Sequence, residues 1–288
     1  MKLISQLIFL SLLMVQSGFS QLEDCCNNIK IYGDNMDNLV SGIKHYDGFT
    51  YIIGSTQLLD QRVATFTKFD ECNETIWEYQ FNFQSELHDF VKTDDEAFLL
   101  VGRTLPAQSD NRSILAKIYD DGTEDFIRSY DNNAREALSR IIKHTNPVNS
   151  NAPYYMAGYE NPPGSVSFSD EVHLHNLDAN GNIMWSKELT FGNDDQWARG
   201  LLPLSDGNLI LLGDYLPSSS GIIVKVSGID GSSIKASRSV PKASYLDGVE
   251  DSNGNIIVAG RYGLPSEGGI LSIFDNDCNF ISSLSTER

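Results

Sequence analysis

Past its first twenty residues the chain has no apolar run long enough to cross a bilayer, and it has almost no apolar spacing of helical period. Basic residues are scarce: 21 Lys and Arg stand against 39 Asp and Glu, for a net charge of −18. With no basic stripe to offset that charge, nucleic acid and anionic lipid are excluded as partners, and solubility is the simplest use of the acidity. A GxSxG elbow is missing and the five histidines are scattered, so no Ser-His-Asp nucleophile is recognisable. Paired carboxylates for glycoside cleavage stay open, because the separation that matters there is spatial.

The first twenty residues, "MKLISQLIFLSLLMVQSGFS", place Lys2 before an apolar run and end with Gly18 and Ser20 at the small-residue positions of a cut before Gln21. They read as a secretory signal peptide. Polar Ser5, Gln6, Ser11 and Gln16 interrupt the run, which argues against a membrane span. Cys25 and Cys26 follow "QLED" rather than a lipobox, which argues against a lipid anchor. The expectation is a secreted, periplasmic or cell-envelope protein whose domain occupies residues 21–288.

Short runs rich in Ile, Val, Tyr and Phe alternate with Asp-Gly and Asn-Gly turns. An apolar strand ending in glycine recurs as "FTYIIGS", "AFLLVGR", "YYMAGY", "LILLGD" and "IIVAGR", with Gly54, Gly102, Gly158, Gly213 and Gly260 spaced by 48, 56, 55 and 47 residues. After each glycine come a polar loop, a second strand running into an acidic turn, and a further strand. Four strands per unit of this length predict an all-β fold, a β-propeller of about five four-stranded blades, since one twisted sheet buries both faces only when neighbours stack on it. The blades are placed at about 37–83, 84–131, 132–191, 192–240 and 241–288.

The stretch "DANGNIMWSKEL" tests this reading. As a calcium loop it would use Asp178, Asn180 and Asn182, but it lacks the bidentate Glu and late Gly of a full loop. As a quinone dock it would need a metal and base around the cofactor, and only two blades carry the equivalent tryptophan, Trp77 and Trp185. As a propeller element, "DANGN" is a hairpin turn in which Asn180 and Gly181 supply positive φ. No resident cofactor is expected, calcium being the alternative.

"IKIYGDNMDNLVSGIKHYDGFTYIIGST" and "MWSKELTFGNDDQWARGLLPLSDGNLILLGDY" resemble the repeat of secreted bacterial β-propeller proteins, often from Bacteroidetes-like organisms, and are similar to delta-60-type repeats. The resemblance spans roughly residues 25 to 280. It implies a fold and brings no catalytic residues. Blade two departs from the pattern with "TDDEAF", blade three inserts "TNPVNSNAP", and the C-terminal sorting domain common in such proteins is missing.

The segment "DCCNNIKIYG" aligns with a fourth strand, so residues 25–34 are expected to close the ring by pairing with the last blade, although "DCNFISSLS" competes for that place. Cys25, Cys26, Cys72 and Cys278 fall in equivalent turns. A closed ring and an oxidising compartment predict one disulfide between Cys278 and the Cys25/Cys26 pair, and a second between the remaining cysteine and Cys72. No metal site is assigned. His173 and His175 alternate on one strand face, but no third ligand is evident.

Candidate ligand residues lie at two places. The long loops between second and third strands carry Tyr159, Tyr215 and Tyr262 beside Leu105-Pro106, Leu216-Pro217 and Leu264-Pro265, where Leu packing and Pro stiffening are the plain alternative to ligand contact. The first strands, aligned on Ile43, Val91, Ile142, Leu202 and Val249, put Ser41, Asp89, Arg140, Gly200 and Asp247 at one level of the central channel. Asp89, Arg140 and Asp247, with His88 and Arg199, could form a polar pocket for a sugar; an Asp89–Arg140 ion pair between blades is the alternative. These features predict a monomeric binding module for a protein or glycan, with a glycan-active hydrolase or lyase, or a structural module of a longer exported protein, as the other readings.

Overall fold

The computed structural model describes residues 38–58, 61–105, 112–130, 135–161, 171–189, 196–215, 220–238, 243–263 and 268–286. Residues 1–20, expected from sequence to be a signal peptide, and residues 25–34 lie outside them. The described chain is all-β, with strands joined in sequence order as antiparallel meanders. Blade one comprises β1 (Asn38–Tyr46), β2 (Phe49–Leu58), β3 (Gln61–Phe69) and the first part of β4 (Thr75–Lys92). The 18-residue β4 then continues as the innermost strand of blade two, followed by β5 (Ala97–Thr104), β6 (Ser113–Tyr119) and β7 (Glu124–Tyr130). Blade three is β8 (Arg135–Lys143), β9 (Tyr154–Asn161), β10 (Glu171–Leu177) and β11 (Ile183–Leu189). Blade four is β12 (Gln196–Pro203), β13 (Leu209–Tyr215), β14 (Ser220–Val226) and β15 (Ser233–Arg238), and blade five is β16 (Ala243–Glu250), β17 (Ile256–Tyr262), β18 (Gly268–Phe274) and β19 (Phe280–Ser285).

Middle strands such as "SILAKIY" of β6 are buried on both faces, whereas the outer β11 is mostly exposed, so the continuous apolar runs in the sequence mark strands sandwiched between neighbouring blades. Four apolar cores fill four gaps between five blades. Tyr51, Phe66, Phe90 and Phe98 lie between blades one and two, with the Tyr51 and Phe98 rings 4.5 Å apart. Leu99, Leu138 and Met156 follow between two and three, Tyr155, Leu174 and Val224 between three and four, and Leu212, Ile223, Tyr245 and Phe274 between four and five. Each such side chain contributes about 1.5–3 kcal/mol on burial. Among the described residues no fifth core joins blade five to blade one, and β16 does not lie along β1 as β12 lies along β8 and β16. The fourth place in blade five, expected for residues 25–34, is taken by β19, which pairs with β18.

A repeated defect explains the repeated glycine. Each innermost strand bulges by one residue, at Ser41, His88, Ser139, Arg199 and Leu246. The bulge swings the carbonyl two positions earlier toward the second strand, where a Cβ on Gly54, Gly102, Gly158, Gly213 or Gly260 would lie 2.0–2.3 Å from it. Only glycine admits that approach.

The turns between third and fourth strands are closed from within. In "DANGN", Asp178 Oδ1 accepts from the amides of Asn180 and Asn182, both at 2.8 Å, and Oδ2 from Asn182 Nδ2 at 2.9 Å. Asp275 repeats the arrangement between β18 and β19, and Asp251 does so in the turn between the first two strands of blade five. The tryptophans after these turns bridge blades: Trp77 lies on Gly122 of blade two and donates from Nε1 to Asp120 O at 2.9 Å, and Trp185 lies on Gly231 of blade four. Buried lysines of the third strands do the same. Lys68 Nζ reaches Asp120 of blade two (2.7 Å), Lys117 Nζ reaches Ala179 O of blade three (3.1 Å), and Lys225 Nζ reaches Asn276 Oδ1 of blade five (2.6 Å).

The cysteine expectation needs correcting at Cys278, which is a free, fully buried thiol. Cys278 occupies the positive-φ corner of its turn (φ 58°), the place held by Asn73 in blade one, while Cys72 stands one position earlier and is exposed. That single step turns Cys278 into the core between blades four and five, where burial pushes its thiol up to about 11. The residues expected to pair with Cys72 lie outside the described segments.

Candidate functional site

Every innermost strand begins at the face from which the long connections depart and runs toward the short-turn face, so its first residues and the residues after the repeating glycines share one rim. The register pairs Glu86 with Arg103, Ala137 with Tyr159, Trp197 with Asp214, and Ser244 with Arg261. Two polar clusters form there.

In the first, at blades three to five, Arg199 Nε donates to Asp214 Oδ1 at 3.0 Å, and Ser244 Oγ donates to Asp214 Oδ2 at 3.1 Å. The guanidinium lies 4.4 Å above the Trp197 ring, and Trp197 faces Tyr159 with ring centroids 6.0 Å apart and an interplanar angle of 30°. Asp214 is buried, while Arg199, Trp197 and Tyr159 are half-buried. A buried carboxylate thus fixes a guanidinium, which stacks on an indole.

The second cluster joins blades one and two. Glu86 Oε2 accepts from Arg103 Nη2 at 2.8 Å and Nε at 3.1 Å, and Oε1 accepts from Arg62 of β3 at 3.3 Å. The His88 imidazole, 3.9 Å away, and then the two guanidiniums hold the Glu86 carboxyl at about 2, against the upward pull of burial.

The residues singled out in sequence are distributed between these clusters and the strand interfaces. His88 Nδ1 lies 2.7 Å from Leu138 O of the next blade, and Ser139, the corresponding bulge residue, donates from Oγ to Ala198 O of the blade after (2.9 Å). The shared level of Asp89, Arg140, Gly200 and Asp247 holds in register, but its blade-one member is Gly42, because the bulge falls on Ser41. Lys44, not Ile43, therefore corresponds to Val91. Lys44 pairs with Asp89 at 2.6 Å, in place of the Asp89–Arg140 ion pair weighed from sequence, and Asp89 Oδ2 accepts from the Ile141 amide at 3.0 Å. Asp89 thereby ties three blades. Arg140 donates to Ser139 O at 3.0 Å, and the exposed Asp247 accepts from the Gly248 amide at 2.8 Å.

Tyr159 belongs to the aromatic cluster and Tyr262 packs on the core between blades four and five. Tyr215 ends β13, and the Leu-Pro pairs lie outside the described residues apart from Leu105. Glu86, Arg103, Trp197 and Asp214 were missed in sequence. Arg103 and Asp214 had a signal in the residue after each repeating glycine, which is Arg103, Tyr159, Asp214 or Arg261 in four blades, whereas Glu86 and Trp197 are the innermost-strand residues paired with them. His173, for which sequence offered no third ligand, is joined by Glu171 and Glu188, with one ligand atom from each residue lying within 4.8 Å of the others.

No family model matches the chain and no curated protein matches it. Solved structures do. A protein of unknown function from Bacteroides caccae is 11% identical with a TM-score of 0.50, over 87% of this chain and 73% of that one. A subtype N10 neuraminidase-like protein of A/little yellow-shouldered bat/Guatemala/060/2010 is 10% identical with a TM-score of 0.55, over 83% and 77%. Prolyl oligopeptidase B from Galerina marginata is 9% identical with a TM-score of 0.50, but the match covers 86% of this chain and only 35% of that one. At these identities the likeness is one of fold, a β-propeller without a named repeat type.

Proposed function

We propose that this chain is an exported, monomeric β-propeller of the secreted bacterial repeat type, acting as a binding module at the cell envelope, with a glycan as the ligand of its long-loop rim. The observation that carries the reading is the Tyr159–Trp197–Arg199–Asp214 cluster. Two aromatic faces suit stacking against a sugar ring, and a guanidinium anchored by Asp214 presents fixed donors to hydroxyl or carboxylate oxygens. Export rests on the first twenty residues and would accompany a bridge from Cys72 to Cys25 or Cys26.

A glycan array on the mature, oxidised protein, followed by titration of the best ligand, tests the reading. Trp197→Ala is expected to weaken binding by about tenfold or more, in line with loss of a stacking contact of 1–2 kcal/mol. Undiminished binding in Trp197→Ala, or hydrolysis of the bound glycan, would defeat it. A ligand found only among proteins would replace the glycan and keep the rim.

A further inference from the structure

We propose that Glu171, His173 and Glu188 bind a divalent transition-metal cation at the long-loop edge of blade three. Glu171 and His173 are two residues apart on β10, so their side chains leave the same face of the sheet. The antiparallel register sets Glu188 of β11 directly opposite His173. On the other side His173 faces Gly158 of β9, which has no side chain to crowd it. One imidazole nitrogen and two carboxylate oxygens converge within 4.8 Å of one another, a spread that a small side-chain rotation closes onto a single ion.

The donor set selects the ion. A neutral imidazole with two carboxylates carries two negative charges, which balance a divalent cation. An imidazole nitrogen suits zinc and its neighbours, whereas calcium and magnesium prefer all-oxygen sites. His175, the next residue on this face, is held by Ser186, with Nδ1 and Oγ 2.7 Å apart, leaving His173 as the imidazole that meets both carboxylates. Glu171 and His173 are half-buried and Glu188 is exposed, so the site has a sheltered floor and an open side. Three protein ligands leave a position for water or for an oxygen of a bound molecule, the arrangement of an open zinc site. The proposal is independent of glycan binding at Trp197.

The test is calorimetric titration of the untagged, chelator-stripped mature protein with zinc, manganese and calcium chlorides. One equivalent of zinc is expected to bind, more tightly than manganese and far more tightly than calcium. His173→Ala and Glu188→Gln should each weaken zinc by about tenfold or more, while His45→Ala on the exposed β1 leaves it unchanged. Circular dichroism confirms that each variant is folded, and Glu188→Gln, an exposed change, carries the test should His173→Ala unfold. Absence of saturable zinc binding overturns the proposal. So does zinc affinity that His173→Ala and Glu188→Gln leave intact.

Discussion

Blades four and five have the same strands, the same bulge and the same glycine, yet Leu202 of β12 is 5% exposed and its counterpart Val249 of β16 is 61% exposed. Leu202 packs toward blade five, its Cδ1 beside Gly248, and belongs to the core the two blades share. Val249 looks out on a flank with Leu271 and Leu284, which are also exposed. The third strands differ in the same sense: Lys225 of blade four reaches into the blade-five turn, and blade five has Ile273 at the equivalent position. Burial of an inner-strand residue in this fold is therefore a property of the neighbouring blade as much as of its own.

Truncating the matched pair puts that comparison at risk most directly. Leu202→Ala is expected to destabilise the protein by about 2–5 kcal/mol, and Val249→Ala by no more than about 0.5 kcal/mol, read as urea midpoints at constant slope. Equal losses would mean that the exposed flank is covered in solution. Next in size, Lys225→Ala should cost about 1–3 kcal/mol, because Nζ pairs with Asp206 at 2.8 Å as well as with Asn276, and its removal strips buried charge-assisted bonds from the four–five joint. A negligible loss would leave the apolar core alone in holding that joint.

The smallest effect concerns pH at the joint of blades one and two. Glu86 sits at about 2 in the folded protein against an ordinary 4.5, so its contribution is complete above pH 4.5 and fades as pH falls toward 2. Wild type and Glu86→Gln should thus differ in urea midpoint at neutral pH and converge on acidification. A difference independent of pH would show that the carboxylate's charge is not what ties Arg103 and Arg62 together.

The strand pattern, the five glycines and the turn at "DANGN" could be read directly because each obeys a local rule: alternation, close backbone approach or positive φ. The sequence alignment slipped by one residue in blade one, since an extra residue in a bulge leaves the apolar pattern on either side intact and Ile43 reads as well as Lys44. Arg103 and Asp214 of the rim could have been found from the position after each glycine, and Glu86 and Trp197 only through the register that pairs them with those positions. Cys278 could not, because its inward direction depends on which of two adjacent turn positions it occupies.

Sequence alone thus determined the all-β class, the repeat and the strand-to-turn order, all set by interactions within a few residues of each other. Tertiary structure alone decided that Asp89 pairs with Lys44, that Glu188 faces His173, and that Leu202 is buried while Val249 is not. The partners in these cases lie 45 residues away, on an adjacent strand, or across a gap that another blade fills or leaves open. The first and last are settled by how blades stack and the second by the register of one hairpin, and no pattern along a single strand encodes them.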